Sequence, residues 1–105
     1  MTGTELRQLL LEKWGRSYDL QLRRVGERIL LLVMWKFLEQ SSFPLSEEDY
    51  LQHLDEIAAH LQAWGVSDMV AHEILASQQG PRLGKAVTIR LNLSGLGERA
   101  SEWLL

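Results

Sequence analysis

The feature that most constrains the fold is an unbroken apolar run in the first half of the chain. The residues from Ile29 to Trp35 are all apolar, and Lys36 is the single polar residue between positions 29 and 38. A helix that is apolar on nearly every side is normally buried at the centre of a domain. Because Gly26 breaks the preceding pattern, we predict a central helix over about residues 27–40.

The central helix carries a stability prediction with it. Replacing Leu31 or Met34 by Ala should cost about 2–5 kcal/mol of unfolding free energy if that residue is fully buried. A negligible cost at both positions would mean that this face is exposed, and would favour a homodimer that uses the central helix.

Two segments alternate apolar and polar residues, which is the period of a β-strand. The first begins at Tyr18 and the second, the stronger, runs from Val87 to Leu93. We predict strands at about residues 18–24 and 86–93. Since an unpaired strand leaves its backbone groups unsatisfied, we expect these two to pair with each other, in a direction that the pattern does not determine.

Helical spacing and capping residues mark the remaining elements. Helices are predicted at residues 5–14 after Thr4, at 47–64 after Ser46 and at 68–77 after Ser67, with a short helical turn at 98–104. The prediction is therefore an α+β fold in a single domain, residues 1–105. Its two strands pack with three to four helices around the central apolar helix.

Several classes of chemistry are not supported by the sequence. The chain has no cysteine, which excludes disulfides, thiolate nucleophiles and Cys-ligated metals. His53, Glu56 and His60 share a helix side, but a stable metal site would still need ligands from elsewhere. The loop from Gly80 to Lys85 lacks the spacing of a phosphate-binding P-loop, and a strand, not a helix, follows it. We therefore predict no cofactor, no metal and no enzymatic activity.

Charge is distributed unevenly along the chain. From Phe37 to Pro81 there are eight acidic residues and no Lys or Arg, whereas the remainder carries a charge of +5, and the net charge is −3. Six basic residues lie near the predicted strands and their loops. These candidate partner-binding residues are Arg23, Arg24, Arg28, Arg82, Lys85 and Arg90. Such a surface can attract an acidic protein; the negative net charge makes nucleic acid the less favoured ligand.

Several segments together resemble a small family of cyanobacterial and plastid proteins classed as a domain of unknown function. The segments are 12–19, 21–24, 33–36, 43–46 and 81–87. The resemblance implies a soluble protein of the photosynthetic lineage, and it implies no activity, cofactor or catalytic residue. Because the N-terminus has no secretory signal and no apolar run approaches the twenty residues of a membrane span, we expect a cytoplasmic protein.

These observations lead to one functional prediction and two alternatives. The leading prediction is a non-enzymatic accessory protein that binds an acidic protein surface through its basic strand-and-loop region. The first alternative is an enzyme or small-ligand binder whose pocket forms only on folding. The second is the homodimer through the central helix, so the chain is expected to be a monomer or a homodimer.

Overall fold

The computed structural model describes residues 1–91. The elements in chain order are α1 (Gly3–Trp14), β1 (Tyr18–Val25), β2 (Arg28–Phe37), α2 (Glu47–Ala63), α3 (Ser67–Ala76) and β3 (Val87–Leu91). The α+β class is confirmed, but the described chain has three strands where two were predicted. The predicted turn at 98–104 and the last residues of the second predicted strand lie outside the described residues.

The predicted central helix is wrong, because the apolar run forms the strand β2. A strand at the centre of a sheet can be apolar on both faces, so its sequence does not alternate. The turn that leads into it consists of Gly26 and Glu27, and joins Val25 to Arg28 as a two-residue hairpin. Gly26 has a φ of 62°, and a positive φ at the first turn position is what a II′ hairpin requires.

The three strands form one antiparallel sheet in the order β1-β2-β3. The predicted pairing of the first and last strands is therefore wrong, since each of them pairs with β2 instead. Leu31 lies between Leu22 of β1 and Ile89 of β3, and it is fully buried. Met34 is only half-buried, so the cost predicted for a buried residue applies to Leu31 and not to Met34.

The helices were predicted closely, with small shifts at their starts. Thr2, and not Thr4, caps α1, and its side chain accepts a hydrogen bond from the Glu5 backbone in a complete capping box. Ser46 caps α2 as predicted and accepts from the Asp49 backbone at 3.1 Å. Ser67 is the first residue of α3 and not its cap.

One hydrophobic core joins the helices to one face of the sheet. Its fully buried members include Leu6, Leu10, Leu20, Leu31, Val33, Tyr50, Leu54, Leu61, Val70 and Ile74. Alternate strand residues point to the opposite face of the sheet. Within residues 1–91, no helix has the length and apolar character needed to cross a bilayer.

Candidate functional site

Three of the six candidate residues lie on the sheet face that is turned away from the core. Arg23 of β1 and Arg90 of β3 both stand opposite Leu30 of β2, so the three residues form one row across the sheet. Neighbouring strands are about 4.8 Å apart, which places the two arginine backbones about 10 Å from each other. Arg28 lies two residues before Leu30 on the same face. We call Arg23, Arg28 and Arg90 the basic face.

Arg24 lies at the same end of the sheet but on its other face. Its register partner is Ile29, a core residue, yet the Arg24 side chain is exposed. Its Nε donates a hydrogen bond of 2.9 Å to the carbonyl oxygen of Gly26. Arg24 thus braces the β1–β2 turn and borders the basic face without belonging to it.

Arg82 and Lys85 form the two ends of a tight turn. The Arg82 N–H donates to the Lys85 carbonyl at 3.0 Å, and the Lys85 N–H donates to the Arg82 carbonyl at 2.7 Å. Leu83 and Gly84 occupy the two central positions, and Gly84 has a φ of 78°, the value that a type II turn needs there. We call residues 82–85 the basic turn.

The basic turn and the basic face lie at opposite ends of β3. Val87 pairs with Val33 and Leu91 pairs with Ile29, a separation of four residues or about 13 Å along the strand. The turn precedes Val87, whereas the basic face gathers around Arg90. The six residues therefore form two basic groups and not a single cluster.

The candidate cations have no carboxylate close at hand within the described chain. Among residues 1–91, none of the six lies within 4.0 Å of an acidic oxygen. Arg7 is different, because its guanidinium contacts Glu47 at 3.3 Å and Glu39 at 3.9 Å. The side chains of the basic face and the basic turn are exposed.

The strongly acidic part of the chain folds into the helices α2 and α3 on the other side of the sheet. A cleft of about 510 Å³ opens between α2 and β1. We call it the acidic cleft. It is lined by Asp19, Gln21, Leu22, Leu45, Asp49, Gln52, His53 and Glu56.

Asp19 and His53 meet at the acidic cleft. The His53 Nε2 atom lies 3.6 Å from Asp19 Oδ1 and 2.6 Å from the Leu20 carbonyl oxygen. Burial raises the pKa of the Asp19 carboxyl above its ordinary value, and the nearby His53 opposes that shift only in part. The same imidazole cannot serve a metal through Nε2 while it donates to the Leu20 carbonyl.

His53, Glu56 and His60 lie along one side of α2, and both imidazoles have other neighbours there. His60 Nδ1 lies 2.7 Å from the Glu56 carbonyl oxygen, and its ring packs edge-on against Trp64 at 5.5 Å. In the described part of the chain, no group of three or more His, Cys, Asp or Glu side chains is arranged to hold a metal ion.

Three hydrogen bonds that join separate elements at buried Ser17 and Tyr50 were not predicted from the sequence. Fully buried Ser17 donates its backbone N–H to Glu39 at 2.7 Å and accepts from Arg7 Nε at 3.1 Å. Burial alone would raise the pKa of Glu39, but hydrogen bonds from Ser17 and the Arg7 charge lower it overall. Tyr50 donates to the Tyr18 carbonyl at 2.7 Å. No sequence signal marks these links, because each joins residues far apart along the chain.

The arrangement of helices and sheet is shared with a structurally characterised relative. The chain superimposes with a TM-score of 0.86 on the solution NMR structure of the Alr2454 protein from Nostoc sp. strain PCC 7120. The two sequences are 56% identical. The similarity covers 100% of this chain and 98% of that one. None of the curated proteins matches the chain.

The family is decided by a second match. Residues 4–104 match the family described as a domain of unknown function, DUF3067. The chain belongs to this family. The sequence-based resemblance to a cyanobacterial family of unknown function is thereby confirmed, whereas its extension to plastid proteins stays a prediction. The family description assigns no activity, so a function has to be argued from the surface of the domain.

Proposed function

We propose that this DUF3067 protein is a non-enzymatic binding module that engages an acidic protein surface through its basic face and basic turn. The observation that carries the proposal is the row of Arg23, Leu30 and Arg90 across the sheet, with no described carboxylate near either guanidinium. An apolar residue between two arginines suits a protein partner, since protein interfaces combine buried apolar contacts with complementary charge.

The size of a normal interface allows both basic groups to take part. A partner that buries about 800 Å² on each side contacts some 20–30 residues. Such a contact extends well beyond the roughly 13 Å that separates the two ends of β3. Electrostatic attraction of this kind mainly accelerates association and weakens as the salt concentration rises.

The test is affinity capture from a cyanobacterial lysate with purified, immobilised protein. Arg23→Gln with Arg90→Gln removes two charges from the basic face, and Arg82→Gln with Lys85→Gln removes two from the basic turn. A matched control, Ala59→Glu with Gln62→Glu, changes the net charge equally at exposed positions of α2. We expect salt-sensitive capture to fall with either basic pair and to persist with the control. Equal capture by all three variants would contradict the proposal.

A second candidate function is supported by the acidic cleft. A half-buried carboxyl beside an imidazole, in a cleft of about 510 Å³, offers polar groups that can bind a small cationic ligand. NMR titration of the protein with spermidine or arginine tests this candidate. Saturable shifts at His53 that Asp19→Asn abolishes would support it, and the absence of shifts at millimolar ligand would dismiss it.

A further inference from the structure

The basic turn also contains an exposed apolar residue, Leu83, between its two charged residues. Leu83 is 91% exposed, far more than Val25 at 54%, Leu75 at 53% or Leu45 at 37%. Turn positions normally hold polar residues, Gly or Pro, and a leucine that packs against almost nothing adds little to stability. The fold therefore offers no reason for an apolar side chain at this position.

The backbone conformation around Leu83 is fixed by a hydrogen-bonded turn. Two hydrogen bonds join Arg82 to Lys85 on either side of it, and Gly84 adopts the left-handed conformation that closes the turn. Pro81, immediately before the turn, is buried. A side chain presented by a pre-formed turn loses little backbone entropy on binding, which favours affinity.

The charged residues around Leu83 indicate the chemistry of a partner surface that could bind it. Arg82 and Lys85 flank the leucine, and neither has a carboxylate within ion-pair distance among residues 1–91. A depression of about 300 Å³ adjoins the turn and is lined in part by Arg82, Lys85 and Thr88. A carboxylate side chain from a partner can enter this depression between the two cations.

We propose that Leu83 is the apolar anchor of the binding surface, and that it inserts into an apolar pocket rimmed by carboxylates on the partner protein. The inference rests on the proposed function and adds the chemistry of the partner's receiving site. Hot spots in protein interfaces are buried side chains at the centre of a ring that excludes water. Arg82 and Lys85 form that ring on this side of the interface, and acidic side chains form it on the other.

The experiment places a benzophenone amino acid at position 83 and, as a matched control, at position 75. Both leucines are exposed, but Leu75 lies on α3, on the acidic side of the molecule. After irradiation in a cyanobacterial lysate, mass spectrometry identifies the cross-linked segment. We expect a protein adduct at position 83 that is absent at position 75, with apolar residues and at least two carboxylates in the captured segment.

Competition separates the anchor from the charges. Unlabelled wild-type protein should suppress the adduct. Leu83→Ala should need at least about a tenfold higher concentration to do so, as expected for losing one buried leucine. Circular dichroism should be unchanged, since the side chain is almost fully exposed. One result would refute the role of Leu83 and leave the proposed function intact. In that result Leu83→Ala competes as well as wild type, whereas Arg82→Gln with Lys85→Gln competes less well. If Arg23→Gln with Arg90→Gln also competes as well as wild type, together with both of these variants, both proposals fail.

Two other occupants would also overturn the inference. The first is a second copy of this chain, which would give an adduct between position 83 and the acidic cleft in purified protein. The second is a lipid surface, which would make the protein sediment with vesicles of phosphatidylcholine and phosphatidylglycerol in a manner that Leu83→Ala abolishes.

Discussion

Replacing Leu31 by Ala tests the central position of β2 directly. Leu31 is fully buried between Leu22 and Ile89, which are its partners on the two neighbouring strands. A leucine truncated at such a site loses its transfer free energy and leaves a cavity that two paired strands cannot easily close. We expect a cost of about 3–4 kcal/mol of unfolding free energy. At about 4 °C or more per kcal/mol in a chain of this size, the melting temperature should fall by at least ~12 °C.

The neighbouring residue provides a matched control. Leu30 is the same residue type, one position earlier, but it is half-buried on the other face of the sheet. Leu30→Ala removes a partly solvated side chain and leaves no enclosed cavity, so we expect a cost of about 1 kcal/mol. Urea unfolding followed by tryptophan fluorescence measures both variants, and an unchanged m-value would show that the denatured states are comparable.

The comparison distinguishes a strand from a helix at this segment. In a helix buried on all sides, adjacent leucines point only 100° apart and both would be costly to truncate. In a strand they point to opposite faces, and the costs should differ by about 2 kcal/mol or more. Equal costs at the two positions, or a negligible cost at Leu31, would refute the assignment of this leucine to the central strand of the core.

Three further predictions concern buried polar groups and close packing. Tyr50→Phe should cost about 1–2 kcal/mol at pH 7, because the Tyr18 carbonyl loses its donor. Burial raises the pKa of the Tyr50 hydroxyl, so wild type should lose stability above about pH 10. The difference in unfolding free energy between wild type and the variant should therefore narrow in urea titrations at alkaline pH. A constant difference would contradict this. Asp19→Asn should become more stable relative to wild type as the pH rises through the raised pKa of the Asp19 carboxyl, because ionisation of that carboxyl is unfavourable in the folded state. Unfolding free energies measured from pH 3 to 7 should show this trend. A difference between the two proteins that does not change with pH would count against it. Gly3→Ala would place its Cβ 2.6 Å from the Asp55 backbone nitrogen. We therefore expect the unfolding free energy to fall by about 1–3 kcal/mol, as measured by thermal unfolding. A variant as stable as wild type would disprove the close approach of α1 to α2.

The helices show how much of the fold could be predicted from local patterns. Ser46 and the acidic residues after it mark the start of α2, and the structure places the cap at that serine. The alternation from Tyr18 and from Val87 likewise identified β1 and β3. These signals are local, because caps and alternating faces depend on residues only a few positions apart.

The apolar run from Ile29 to Trp35 shows where local patterns were insufficient. An uninterrupted apolar segment suits a buried helix and a central strand equally well, and periodicity alone does not separate them. Here the choice depends on β1 and β3, which both need a pairing partner and come from segments some 60 residues apart. The two-residue turn at Gly26 and Glu27 was the local clue to a hairpin, and it was outweighed by the apolar run.

The candidate site divides in the same way between sequence and structure. Amino-acid composition and charge order alone determined that the middle of the chain is acidic and that the flanking segments are basic. Tertiary structure decided which of those charges meet. The register across β2 places Arg23 and Arg90 in one row on the same face, while the length of β3 keeps Arg82 and Lys85 apart from them. The physical reason is that charge is a property of each residue, whereas proximity is a property of the hydrogen-bonded pairing, which only the folded sheet specifies.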